Sequence, residues 1–87
     1  MSLSEQVDHL LTLSLVPPGQ RVRVLDVRAD QKTSHRLSEL GIVRGATLRI
    51  VQDDGGTLLV AVGDTRLGLA HGLAHRVQVV ITEEEQA

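Results

Sequence analysis

The sequence predicts a mainly β fold: a small, partly open barrel of about five short strands, with one short internal helix and an extra N-terminal helix. Three observations predict it. Short runs of Val, Leu and Ile alternate with polar residues and are separated by glycine turns, as in consecutive antiparallel strands. One stretch, Thr33 to Gly41, instead spaces its leucines for a helix. The 87 residues include no Phe, Tyr or Trp although 41% are hydrophobic, so the core must be aliphatic. A chain of this length forms one domain, divided here into a helical extension over 1–12, the barrel over 13–82 and an acidic flexible tail over 83–87.

The extension reads as an amphipathic helix over residues 2–12. Ser2 and Glu5 have capping-box spacing, and Glu5 and Asp8 suit the positive end of the helix dipole. Leu3, Val7, Leu10 and Leu11 fall on one stripe, which must be buried. It either packs over an open end of its own barrel, forms a homodimer contact or docks on a partner. Pro17-Pro18-Gly19 then breaks any helix.

Arg21-Val22-Arg23-Val24 alternates, and Leu25 and Val27 take the opposite parity, which calls for a bulge or bend near Leu25. Ala29 to Lys32 form a polar connection. Thr33 or Ser34 caps the internal helix, where Leu37 and Leu40 share the apolar face and Arg36 and Glu39 point to water. Gly41 supplies the left-handed C-terminal cap, and Gly45 turns the chain into a strand with Leu48 and Ile50 inward. Asp53-Asp54-Gly55-Gly56 is a turn whose carboxylates should be hydrated and of ordinary acidity. Leu58 to Val62 is apolar on both parities, as a central strand covered on both sides requires, and its edge is also a candidate for strand addition. Gly63-Asp64 has hairpin spacing, Leu67 and Leu69 alternate, His71 to His75 make one helical turn, and Val77, Val79 and Ile81 form the last strand. Together these elements describe a barrel of SH3-like type.

Composition excludes several functions. Without aromatic rings there is neither a proline-rich peptide groove nor a base-stacking platform. Nine basic and eleven acidic residues give a net charge of −2, and no basic run exceeds the alternation of Arg21 and Arg23, which argues against nucleic acid. The absence of cysteine removes disulfides and thiolate metal sites. No secretory signal and no membrane span is visible, so the expected location is cytoplasmic. No catalytic constellation is visible either: Ser34-His35 are neighbours that diverge on a helix, and Gly55-Gly56 lacks the lysine of a phosphate loop. The expectation is a non-enzyme without cofactor. For a metal such as Fe(II), the candidates are His71 and His75, four apart, with Asp64 as a third ligand, set against two surface histidines beside a structural turn. For partner binding the candidates are Arg36, Glu39, Val43 and Arg44 on the helix and its exit turn, with Gly41 and Gly45 as structural turns.

Over residues 13–81 the chain resembles the ferrous-iron transport protein A (FeoA) family of SH3-like domains. The resemblance lies in Arg36-Leu37-x-Glu39-Leu40-Gly41-Ile42-x-x-Gly45, in Leu13-x-x-x-Pro17-Pro18-Gly19, and in Leu67-x-Leu69-Ala70-x-x-x-Ala74-x-x-Val77-x-Val79. The chain departs from the family at Arg44, where a proline is common, and at Gly55-Gly56-Thr57, where the family tends to have Gly-x-Pro. The resemblance implies a small accessory protein that docks on the cytosolic GTP-binding region of a bacterial membrane ferrous-iron transporter and modulates Fe(II) uptake. The alternative it leaves is a stand-alone, metal-responsive regulatory module acting in trans on a repressor or other cytosolic partner. An RNA-binding translation module is a third reading, opposed by the charge count.

Overall fold

The computed structural model describes residues 10–82. The chain runs β1 (Leu10–Thr12), a 3-10 turn (Leu13–Leu15), β2 (Arg21–Val27), α1 (Gln31–Glu39), β3 (Thr47–Asp53), β4 (Thr57–Val62), β5 (Thr65–Ala70), α2 (His71–Ala74) and β6 (Val77–Ile81). The strands form one antiparallel sheet in the order β1-β6-β2-β3-β4-β5. The expected partly open barrel of about five strands is therefore an open sheet of six. Leu11 on β1 and Leu69 on β5, from its opposite edges, pack on one cluster, so the sheet curls around a single core.

The added strand replaces the end of the expected N-terminal helix. Leu10, Leu11 and Thr12 pair with Val80, Val79 and Gln78 of β6. Strand pairing wins because β6 offers an open edge there, and the alternation of Leu11 and Leu13 suits a pleat as well as the leucine spacing suits a helix. Leu11 packs on the chain's own core and Leu13 is fully buried. Leu3 and Val7, the rest of the expected stripe, lie outside the described residues.

Val22, Val24, Leu48, Ile50, Leu58, Val60, Val77 and Val79 fill the interior, joined by Leu13, Val16, Leu37, Ile42, Leu69 and Ala74. No polar side chain is buried among the described residues. The bend expected near Leu25 is present as a register shift between Val24 and Asp26, and a second shift lies between Ile50 and Gln52. β4 is paired on both edges, with β3 and β5, so strand addition at Leu58 to Val62 is closed off. Its second face, Leu59 and Ala61, is only half-buried.

Candidate functional site

Helix α1 begins one turn earlier than the leucine spacing predicts. Asp30, not Thr33 or Ser34, is the N-cap: its Oδ1 accepts from the Thr33 amide at 2.8 Å. Hydrogen bonds from Thr33 hold the Asp30 carboxyl below its ordinary range. The polar run from Ala29 to Lys32 hid this start, because an Asx cap leaves no apolar mark.

The helix exit is a complete Schellman motif. Gly41 at φ 92° donates to the Ser38 carbonyl, and Ile42 donates to the Leu37 carbonyl, both at 3.0 Å. Leu37 and Ile42, which flank the motif, are both buried, clamping the exit to the core. A Cβ on Gly41 would meet Val62 Cγ1 at 3.0 Å, so glycine is required for its conformation and for the close approach of β4. Gly45, at the same φ, faces open space.

This anchoring leaves two apolar side chains outside. Leu40, expected beside Leu37 in the core, is the C-cap residue and is 44% exposed; Val43 is 41% exposed. The helix geometry that buries Leu37 ends at Leu40, which therefore swings out. Arg36, Glu39 and Arg44 are exposed around them. Arg44 lies 3.5 Å from Asp26, and Glu39 lies 3.3 Å from His35 one turn back. Helix α1 stands between two shallow grooves, each of about 270 Å³. One is lined by Asp26, Val27, Ser34, Ser38, Ile42, Val43 and Arg44, the other by Thr33, Arg36, Leu37, Leu40, Gly68, Leu69 and Leu73. The four partner-binding candidates are all exposed on the ridge between these grooves, Arg36 on one flank beside Leu40, Val43 and Arg44 on the other, and Glu39 lining neither groove.

The histidine pair does not converge. His71 Nε2 lies 2.8 Å from Asp53 Oδ1, whereas His75 Nδ1 lies 3.3 Å from Ser14 Oγ. Asp64 meets neither. Among the described residues, no three His, Cys, Asp or Glu side chains gather in a way that could hold a metal ion. The turn at Asp53-Asp54 is more structured than expected. Asp53 accepts from the Gly55 amide at 2.9 Å, and Asp54 accepts from the Gly56 and Thr57 amides at 3.0 and 2.9 Å. Both carboxyls are held below the ordinary range, Asp53 by the Gly55 amide and then by His71, Asp54 by the Gly56 and Thr57 amides. They are exposed, as expected, but they are hydrogen-bonded loop supports whose acidity is not the ordinary one.

The comparisons agree with this architecture. The family model described as the FeoA domain matches residues 11–81. The structure of an iron uptake regulatory protein (FeoA) superposes with a TM-score of 0.80 at 27% identity, covering 84% of this chain and 99% of that one. FeoA from Stenotrophomonas maltophilia, solved with zinc and described as a prokaryotic SH3 domain protein, gives 0.70 at 37% identity over 83% and 89%. A manganese-dependent transcriptional repressor gives 0.75 at 21% identity, covering 84% of this chain but 42% of the repressor, a likeness of fold alone. Among curated proteins no sequence matches.

Proposed function

The chain belongs to the FeoA family, which implies a role in ferrous-iron transport, and on that premise we propose that it docks on the cytosolic GTP-binding region of a membrane ferrous-iron transporter and modulates Fe(II) uptake. The observation that carries the docking reading is the α1 ridge. Among the described residues the exposed large apolar side chains are Leu15, Leu25, Leu40 and Val43, and the last two stand together at the helix exit, between Arg36 and Arg44 in the chain. Apolar anchors of this kind bind well when the frame beneath them is ordered, because little side-chain and loop freedom is then lost on association. The Leu37–Ile42 clamp supplies that frame.

The reading needs neither catalysis nor a resident metal. The family is one of small accessory domains, and the two candidate ligands His71 and His75 are engaged by different neighbours. Iron is the cargo of the partner. No helix among the described residues is long and apolar enough to cross a membrane, which suits a protein that works from the cytoplasmic side.

The test is a binding titration of the purified chain against the transporter's GTP-binding domain, with nucleotide turnover read in parallel. Val43→Asp and Leu40→Asp should each weaken binding about ten-fold or more, as loss of a central apolar anchor does. Unchanged binding by both variants, with their folds intact, would remove the ridge as the docking face. Failure of the wild-type chain to bind would remove the transporter as the partner.

A further inference from the structure

The register of the sheet assembles a feature that no stretch of sequence displays. Arg21 on β2 is paired with Arg49 on β3, Arg49 with Ala61 on β4, and Ala61 with Arg66 on β5. One row of the outer face therefore reads Arg, Arg, Ala, Arg, and Arg23 stands two residues along β2 from its start. All four arginines are exposed. Ile50 donates to the Gln20 carbonyl and Val24 to the Ala46 carbonyl, so the Arg21–Arg49 pair occupies a non-hydrogen-bonded position, where facing side chains are closest at a Cα separation of ~4.5 Å. Like charges in that position destabilise a sheet. The small side chain of Ala61 opens the row into a groove of about 250 Å³ lined by Arg21, Thr47, Leu48, Arg49, Ala61 and Gly63.

The remaining charges sharpen the contrast. Arg28 and Arg44 each lie within 4 Å of Asp26, at 3.9 and 3.5 Å. Among the described residues no carboxylate approaches Arg23, Arg49 or Arg66 in this way. A chain of net charge −2 thus concentrates four of its nine basic residues on one sheet face.

We propose that this outer face is a docking surface for an acidic, extended segment of a protein partner. Guanidinium groups pair with carboxylates through two parallel hydrogen bonds, which suits an acidic peptide. Arg23 on β2 lies diagonal to Arg49 on β3, and Arg66 stands beyond Ala61 in the same row as Arg49, so carboxylates carried on one extended segment can meet the three in turn. Nucleic acid fits less well, since the chain has no aromatic side chain on which bases could stack. A lipid surface also fits less well, since none of the exposed apolar residues Leu15, Leu25, Leu40 and Val43 belongs to the row. The surface shares no residue with the α1 ridge, so it stands or falls independently of that reading.

The test is fluorescence anisotropy of a labelled ten-residue oligoglutamate peptide, titrated with the full chain at low and physiological salt. The triple variant Arg23→Glu, Arg49→Glu, Arg66→Glu should weaken binding about ten-fold or more and flatten its salt dependence. The control triple Arg28→Glu, Lys32→Glu, Arg76→Glu, with the same charge change away from the row, should alter it less than about three-fold. Arg49→Gln alone should give a smaller loss in the same direction, which guards against misfolding of the triple variant. Equal losses in both triples, or no binding by the wild type at low salt, would overturn the proposal. So would tighter binding of a single-stranded oligonucleotide of equal length. Binding that emerges only after Glu83, Glu84 and Glu85 are changed to Gln would assign the face to the chain's own acidic end instead, and would also overturn it.

Discussion

Two glycine-bearing reversals flank β3, and they are held together by opposite chemistry. The exit of α1 uses backbone hydrogen bonds and two buried aliphatic side chains; its one titratable side chain, Glu39, is exposed and takes no part in the motif's bonds. The Asp53–Gly56 turn uses carboxylates that accept from backbone amides, and His71 reaches in from α2 to meet Asp53. The difference teaches where this small domain is rigid and where it is tunable. Apolar burial makes the first reversal insensitive to pH and intolerant of substitution. Charged hydrogen bonds near solvent make the second tolerant of substitution and sensitive to acid.

The largest effect should come from breaking the apolar reversal. Ile42→Ala should cost about 2–5 kcal/mol in denaturant unfolding, because Ile42 is fully buried beneath the turn. That is a large part of the ~5–15 kcal/mol typical of a domain. A loss below 1 kcal/mol would mean that the clamp does not anchor the helix exit. Gly41→Ala should follow at about 2 kcal/mol, since left-handed backbone strain adds to the 3.0 Å approach of Val62. Gly45→Ala, at the same φ but in open space, should cost only about 1 kcal/mol; equal losses at the two glycines would show that the approach of β4 contributes nothing.

The polar reversal should respond to pH. The folded-state pKa of Asp53 lies below its unfolded value of about 3.9, so the unfolded chain binds more protons in that range. Its contribution is fully present above that unfolded value and is lost as pH falls through the folded pKa. Asp53→Asn should therefore flatten the acid limb of a stability-against-pH curve while leaving the neutral region's slope unchanged. His71→Gln should flatten it less, because the Gly55 amide is the larger cause of the shift. An unaltered acid limb in Asp53→Asn would show that the turn is not the element that responds.

The smallest stability effect belongs to Val43→Asp, one residue from Ile42. Val43 is exposed, so its unfolding free energy should stay within about 0.5 kcal/mol of wild type. Measured beside Ile42→Ala, it separates what the exit turn does for the fold from what it does for binding. A large loss of stability in Val43→Asp would mean that the side chain is part of the core and not a free anchor.

Much of this architecture is local and could be read directly. Alternation marked β2, β3, β5 and β6, an apolar run between turn signals marked β4, the parity change at Leu25 marked the bulge, and Gly41 after the leucine pair marked the helix exit. These patterns depend on contacts between residues two to five apart, which the order of residues dictates. The N-terminal stripe misled because Leu10 and Leu11 satisfy two periodicities at once, and only the open edge of β6 chooses between them. Leu40 misled because spacing groups it with Leu37 but does not say how much of that face the core covers: Leu37 is buried and Leu40 is not.

The sequence by itself determined the aliphatic core, the order of the strands along the chain, the glycine turns and the family. The tertiary structure decided the rest: that β1 joins β6, that His71 meets Asp53 while His75 turns to Ser14, and that Arg21, Arg49 and Arg66 line up across the sheet. Each of these joins residues far apart in the chain. Strand register sets such neighbours, a one-residue slip would move each side chain to the opposite face, and register is chosen by the packing of the whole core.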